Sequence, residues 1–227
     1  MESVIYKAQN NRKAIPIGKA LMLLSLIICL EIGSTFIYHI FIGKARISPL
    51  FITAIQRIAV IIVLLGFIFK WGYCFDHLGL STTKFKQGII HGLFWCIGFG
   101  MLVGLFGGIL WIFGVNPRSL IGHTKAWTPI GLVAYILVGC LLGPIVEDLV
   151  FTGLIYNGLR AKLNIAFSVL LVSIFFALAH GFISMSLIIQ FIGGVLFTLS
   201  FEFSGSLLTP MIIHWCGNIA ILTIQIL

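Results

Sequence analysis

The sequence contains very little charge. Only 9% of its 227 residues are charged and six are acidic, whereas 60% are hydrophobic. A soluble domain is about half apolar and about a quarter charged, so this composition excludes an ordinary soluble globule. It indicates an integral membrane protein, which we expect to form one membrane domain over residues 1–227. The net charge of +8 fits basic residues that set topology and contact the lipid bilayer, and it gives no indication of nucleic acid as a partner.

Three further patterns are missing. The five cysteines include no CxxC pair and four of them lie in apolar runs, which argues against a disulfide framework or a zinc cluster. The apolar runs do not alternate strictly and are longer than the roughly 10 residues of a barrel strand, which argues against a β-barrel. No internal repeat is visible, which weakens a small proton-coupled transporter as the function.

Long apolar runs dominate what is present. A membrane-spanning helix needs about 20 such residues, so the runs predict an all-α, polytopic membrane helix bundle with about eight transmembrane helices. The predicted spans are Ile17–Ile42, Pro49–Phe69, Gly88–Gly114, Thr128–Leu142, Pro144–Leu159, Asn164–Gly181, Ser184–Phe203 and Ser206–Ile226.

Basic residues precede the first span and predict its orientation. Lys7, Arg12, Lys13 and Lys19 favour an uncleaved signal anchor with a cytoplasmic N-terminus, in the plasma membrane of a bacterial cell. Alternate counting of eight spans gives seven basic residues inside and six outside, which is a weak bias.

Charged side chains inside spans are costly, and their default interpretation is functional. Glu31 and Arg57 fall at similar depth in the first two spans, which predicts a structural ion pair between them. Glu202 falls at a span end, where interfacial solvation accounts for it.

An acidic pair stands out in the stretch "GPIVEDLVFTGLIYNGLR". Gly143-Pro144 predicts a break in the chain, because proline suits the first turn of a new helix. Glu147 and Asp148 would then lie near a helix start, where the helix dipole favours negative charge.

Two later motifs add histidines and an amide. "FALAH" ends at His180, and "HWCGN" places His214 and Asn218 four residues apart on one helix face. Counting depth along the predicted spans brings both motifs and the acidic pair together in the inner half of the bilayer. Interhelical hydrogen bonding is the ordinary explanation for each residue alone. Together they have the parts for hydrolysis: a carboxylate base, imidazoles that position water or bind a metal, and an amide for an oxyanion.

These motifs resemble the CPBP family of intramembrane proteases, which includes CAAX prenyl endopeptidases and the Abi proteins of bacteriocin immunity. The family pattern is EExxxR, FxxxH and HxxxN on separate helices of an eight-helix bundle. Here FxxxH is matched by Phe176 and His180, and HxxxN by His214 and Asn218. The resemblance covers residues 142–220, which form the expected catalytic-motif core.

The resemblance implies an endopeptidase that hydrolyses a membrane-associated peptide or lipidated protein, of CAAX, bacteriocin or pheromone type. Glu147 and His180 would activate water, while His214 and Asn218 would stabilise the oxyanion. The implied supporting residues are Asp148, Phe151, Thr152 and Phe176. The family is often called metalloprotease, and Glu147, His180 and His214 also offer ligands for a divalent metal such as zinc, which takes three protein ligands plus water.

The first motif departs from the family pattern. Asp148 replaces the second glutamate and Thr152 stands where arginine is expected, so the ion pair of the motif is missing and Asp148 needs another partner or a proton. From the sequence alone, we expect Asp148→Glu with Thr152→Arg together to do better than either change alone, in both thermal stability and cleavage. The departure also leaves open a weak or inactive family member that acts as a bacteriocin-immunity or regulatory binding protein.

Overall fold

The chain folds entirely into helices within the residues that can be described. The computed structural model describes residues 15–42, 48–120, 128–180 and 185–226, and every regular element in these ranges is helical. The predicted all-α class is therefore confirmed. The long helices are α1 (Ile17–Ile37, continued by a π-helical turn Tyr38–Ile42), α2 (Pro49–Lys70), α3 (Phe85–Ile112), α4 (Pro129–Arg160), α5 (Ile165–Ala179), α6 (Met185–Ser204) and α7 (Leu208–Ile226). Short 3₁₀ turns lie at Phe75–Leu78, Thr82–Lys84 and Pro117–Leu120.

Six of these helices are long and apolar enough to cross a membrane, and α5, with 15 residues, is shorter. The expected count of eight is thus approximate. Two predicted spans, Thr128–Leu142 and Pro144–Leu159, are one continuous helix. The basic residues before α1 and the span ends at Gly181 and Ser184 lie outside the described residues.

Pro144 does not break α4, because the helix widens around it. The segment Ile136–Leu142 is π-helical, and the N–H of Gly143 donates to the carbonyl of Val138, five residues back. Proline has no N–H to continue that pattern to the carbonyl of Gly139. The predicted helix start is therefore wrong, and the acidic pair lies far inside α4.

Four connections meet at one end of the bundle. The N–H of Leu207, after α6, donates to the carbonyl of Gly79, between α2 and α3, at 2.9 Å. The Asn157 amide near the end of α4 donates to the carbonyl of His77 at 3.3 Å. A Cβ on Gly158 would lie 3.2 Å from the carbonyl oxygen of Ile15, which precedes α1. We call this end of the molecule the α1-start end.

The position of the acidic pair can be measured along the continuous α4. Helix α4 runs toward the α1-start end. Glu147 lies thirteen residues before Arg160, the last residue of α4, so Glu147 is about 20 Å from that end. The hydrocarbon core of a bilayer is about 30 Å thick. Glu147 is eighteen residues from Pro129, the first residue of α4, so the site lies well inside this helix, and its depth in a bilayer stays a prediction.

Close packing of α3 on α7 fixes the helix that carries the last motif. The two helices run parallel, and a Cβ on Gly92 would lie only 2.9 Å from Cβ of Ile212. Small residues allow such approach in membrane bundles, where dispersion contacts drive helix association. The farther half of α3 faces outward instead, as Ile112 with 82% of its surface exposed shows. Such apolar faces are suited to lipid.

Candidate active site

Glu147 lies at the centre of a cluster formed by α4, α5 and α7. Its Oε2 atom is 3.5 Å from Nε2 of His180 and 3.6 Å from Nε2 of His214. The Glu147 side chain is 15% exposed. Both separations are slightly longer than direct hydrogen bonds, so one water molecule can bind the carboxylate and an imidazole together.

His180 is held by the end of its own helix. It follows Ala179, the last residue of α5, and its backbone N–H donates to the carbonyl of Ala177. The carbonyl of Phe176 thereby lacks its usual helical donor, and the Nδ1 atom of His180 lies 2.8 Å from it. A proton on Nδ1 satisfies this carbonyl and leaves Nε2 directed at Glu147. The four-residue spacing therefore lets the His180 ring bond the backbone carbonyl of Phe176.

His214 is oriented by a different set of neighbours. Its Nδ1 atom lies 3.5 Å from Oδ2 of Asp148, and both side chains are buried. The ring stacks on Phe197 with centroids 4.3 Å apart and meets Phe176 edge-on at 5.8 Å. Aromatic contacts of this kind restrict the plane of the imidazole.

Glu31 and Arg57 form the predicted ion pair between α1 and α2, which is confirmed. The pair also reaches the site, because the second guanidinium nitrogen of Arg57 lies 3.9 Å from Oε1 of Glu147. Sequence reasoning missed this contact. The sequence signal for it was Arg57 itself, because a charged residue inside a span usually has a functional role.

Asn218 lies one turn beyond His214, and its amide donates to the carbonyl of Gly139 at 3.4 Å. That carbonyl is the one that the missing N–H of Pro144 would serve in the π-helical pattern. Trp215 likewise donates to the carbonyl of Leu141 at 3.2 Å. In the described part of the chain no polar contact joins Asn218 to Glu147 or His180. The structure thus brings together three of the four predicted catalytic residues by direct contact.

The expected supporting residues form the wall of the cluster. Phe151 and Phe176 pack edge-to-face with centroids 5.3 Å apart, and Phe176 is 2% exposed. Thr152 is 1% exposed, so the position where the family has arginine is closed to solvent and lipid.

The donor set does not fit a metal ion. Among the described residues, no group of three or more His, Cys, Asp or Glu side chains is arranged to hold one. Arg57 already places a positive charge 3.9 Å from the central carboxylate, where a bound cation would be repelled. No step of the reaction considered below passes through a metal.

A second acid cluster surrounds Glu202 nearer the α1-start end. Glu202 is 6% exposed, so the expected interfacial solvation is wrong. Tyr156 donates to its Oε2 at 2.9 Å, and Nε of Arg160 donates to Oε1 at 3.2 Å. Partners from α4 replace water around this carboxylate.

Residues 129–220 match the family model described as Type II CAAX prenyl endopeptidase Rce1-like. The match is consistent with the CPBP/CAAX protease family and confirms the resemblance seen in the motifs. The match suggests a protease, which is a hydrolase, and the six long apolar helices indicate a membrane protein. No match to the chain was found among curated proteins or among solved structures.

Proposed function

We propose, from the CAAX-protease match over residues 129–220, that this protein is an endopeptidase that hydrolyses a peptide bond of a membrane-associated peptide or lipidated protein. The observation that carries the proposal is a single carboxylate oxygen of Glu147 facing Nε2 atoms of two histidines at 3.5 and 3.6 Å. A pair of this kind can hold and deprotonate one water molecule.

Glu147 acts as the general base in this proposal. His180, with Nδ1–H on the Phe176 carbonyl, presents an unprotonated Nε2 that accepts a hydrogen bond from the water. Arg57 opposes Oε1 of Glu147, which leaves Oε2 for the water. The carboxylate takes one proton as the water oxygen attacks the scissile carbonyl. When the C–N bond breaks, Glu147 returns that proton to the leaving amine, and the products are a carboxylic acid and an amine.

His214 faces the same space and acts as the oxyanion donor. An Nε2–H at this position, held in a site with little water, stabilises the charge that develops on the carbonyl oxygen. Asn218 donates one amide proton to Gly139, and its second proton provides a further donor from the same helix face.

Cleavage by purified protein tests the proposal. The probes are a farnesylated peptide ending in a CaaX sequence, its unprenylated counterpart, and unrelated apolar peptides, with products identified by mass spectrometry. Glu147→Gln keeps the shape and removes the base, so we expect the rate to fall about 10²–10⁴-fold. Asp76→Asn makes the same chemical change at an exposed acid between α2 and α3 and is the matched control.

Wild-type rates from correctly folded Glu147→Gln protein would overturn the mechanism. If the wild-type protein binds the probes and cleaves none of them, the non-catalytic binding role is favoured instead.

The orientation proposed for the molecule places the α1-start end in the cytoplasm. With α4 as one helix, six basic residues of the described ranges fall at that end, namely Lys19, Lys70, Lys84, Lys86, Arg160 and Lys162. Among the described residues only Arg118 falls in a connection at the other end. Six against one is a clear bias under the positive-inside rule.

Native Cys74, exposed between α2 and α3, provides a topology reporter. A protein whose single cysteine is Cys74 should react with a membrane-impermeant maleimide only after cells are permeabilised. A single cysteine introduced by Asn116→Cys, in the connection after α3, should react in intact cells. The opposite labelling pattern would reverse the orientation.

A further inference from the structure

Two buried polar atoms in the site lack hydrogen-bond partners and face each other. Oδ2 of Asp148 and Nδ1 of His214 have no such partner among the described residues, and 3.5 Å separates them. Asp148 is 1% exposed and His214 is 4% exposed. Buried polar atoms are almost always satisfied, so two orphans in mutual contact require an explanation.

The adjacent acids of α4 approach opposite nitrogens of the same ring. Glu147 faces Nε2 of His214 and Asp148 faces Nδ1. A closure of about 0.5 Å turns the Asp148 contact into a charge-assisted hydrogen bond, and catalytic hydrogen bonds commonly tighten when substrate binds. The stacked ring of Phe197 permits this closure within the plane of the imidazole.

We infer that Asp148 is a positioning residue that accepts the Nδ1 proton of a doubly protonated His214 and thereby directs the Nε2–H of that ring toward the scissile carbonyl. The inference rests on the proposed endopeptidase function and assigns Asp148 a role in it. Asp148 touches neither substrate nor water. It acts through His214, as the acid of a catalytic triad acts through its histidine.

The same contact explains how the chain functions without the arginine of the first motif. Thr152 removes the partner that the second acid has in the family pattern, and a lone buried carboxylate is costly. In this chain Asp148 finds its partner on α7 instead of one turn along α4. The Nδ1 atom of His180 has a different acceptor, the carbonyl of Phe176. Each histidine therefore has an acceptor beside Nδ1 and Glu147 beside Nε2.

Ring nitrogen NMR tests the inference without any substrate. Protein labelled with ¹⁵N-histidine in detergent micelles is compared with Asp148→Ala and Asp148→Asn, and the His214 signals are assigned from their loss in His214→Gln. We expect wild-type His214 to carry a protected Nδ1 proton that both Asp148 variants lose, while His180 keeps its tautomer. Unchanged His214 nitrogen shifts in Asp148→Ala would overturn the inference.

A double-mutant cycle tests the same inference through cleavage of the farnesylated CaaX peptide. In the wild-type background Asp148→Asn should lower kcat about 10²–10⁴-fold with little change in KM. In a His214→Ala background the same change should lower kcat less than about threefold, because the residue it acts through is gone. Ser168→Ala is the matched control. It removes the Ser168 hydroxyl, which is another buried polar group without a hydrogen-bond partner and lies near the end of α5 opposite His180.

Equal losses from Asp148→Asn in both backgrounds would contradict the positioning role and indicate a structural one. If wild-type protein cleaves no probe, the proposed function fails, and the NMR comparison alone decides whether Asp148 holds His214.

Discussion

Helix α4 contributes to two buried acid clusters that differ in how well they are satisfied. Glu202 receives Tyr156 at 2.9 Å and Arg160 at 3.2 Å, both direct hydrogen bonds. Glu147 meets its two histidines only at 3.5 and 3.6 Å, and Oδ2 of its neighbour Asp148 has no hydrogen-bond partner among the described residues. Both clusters contain a glutamate with an arginine neighbour and side chains from α4, and they differ in how closely the acid approaches its partners.

The comparison separates structural polar groups from functional ones. A satisfied buried network stabilises the packing of α4 on α6, and it has no capacity left for a substrate. Loosely paired polar groups reduce stability, and they are kept where they can bind a water or a reacting group. Polar burial alone does not distinguish the two clusters, whereas the separations do.

The largest effect that would sharpen this comparison is expected at His180. His180→Ala removes the acceptor that holds the water with Glu147, so cleavage of the CaaX probe should fall about 10²–10⁴-fold. The melting temperature should change little, because the side chain is 26% exposed and loses one hydrogen bond to the Phe176 carbonyl and a 3.5 Å contact with Glu147. Equal losses of stability and activity would mean that the histidine is structural.

Thr152→Arg should produce the next largest effect, on stability. Thr152 is 1% exposed, so the added guanidinium is overpacked and has no solvent or lipid to reach. We expect a loss of about 2–4 kcal/mol. Adding Asp148→Glu should not restore it, because Asp148 is already engaged with His214. A double variant that is more stable than the sum of the two single changes would support the sequence-based expectation instead.

Arg57→Gln is expected to lower cleavage about tenfold and to leave binding of the probe intact. Loss of the guanidinium leaves Glu31 without its partner and frees Oε1 of Glu147 to turn away from the histidines. In the Glu31→Gln, Arg57→Gln double variant the unpaired acid is removed as well. That double variant should recover stability and not rate. Recovery of the rate would show that Arg57 serves α1–α2 packing alone.

The smallest effect is predicted in the satisfied cluster. Tyr156→Phe removes one hydrogen bond to Glu202 and should cost about 1 kcal/mol of stability. Activity per folded molecule should not change. A measured loss of turnover without loss of stability would break the assignment of this cluster to structure.

Much of the fold could be predicted from apolar runs, since length and composition decide which segments can span a bilayer. The continuity of α4 could not, because Gly143-Pro144 is a common signal for a helix start. The outcome depends on π-helical widening and on the Asn218 amide, which donates to the Gly139 carbonyl that Pro144 leaves free. Neither is visible without the packing of α7 on α4.

The candidate site could be predicted in part for a similar reason. Motif spacing identified Glu147, His180 and His214, because residues four apart share a helix face and in-span charges are rare. The approach of Arg57 to Glu147 and the turn of Asp148 toward His214 depend on helix rotation, which a single sequence does not encode locally. The sequence likewise predicts an interfacial position for Glu202, because its burial depends on helix packing.

Glu147→Gln and Glu202→Gln, measured side by side, test the central claim most directly. Each variant is assayed for turnover of the CaaX probe per folded molecule and for melting temperature. The account predicts that Glu147→Gln loses at least about 10²-fold in rate and keeps its melting temperature. It predicts that Glu202→Gln keeps its rate within about threefold and melts several degrees lower, since about 1 kcal/mol corresponds to roughly 2–4 °C in a chain of this size. The same pattern of loss in both variants would contradict the division into a reactive and a structural cluster.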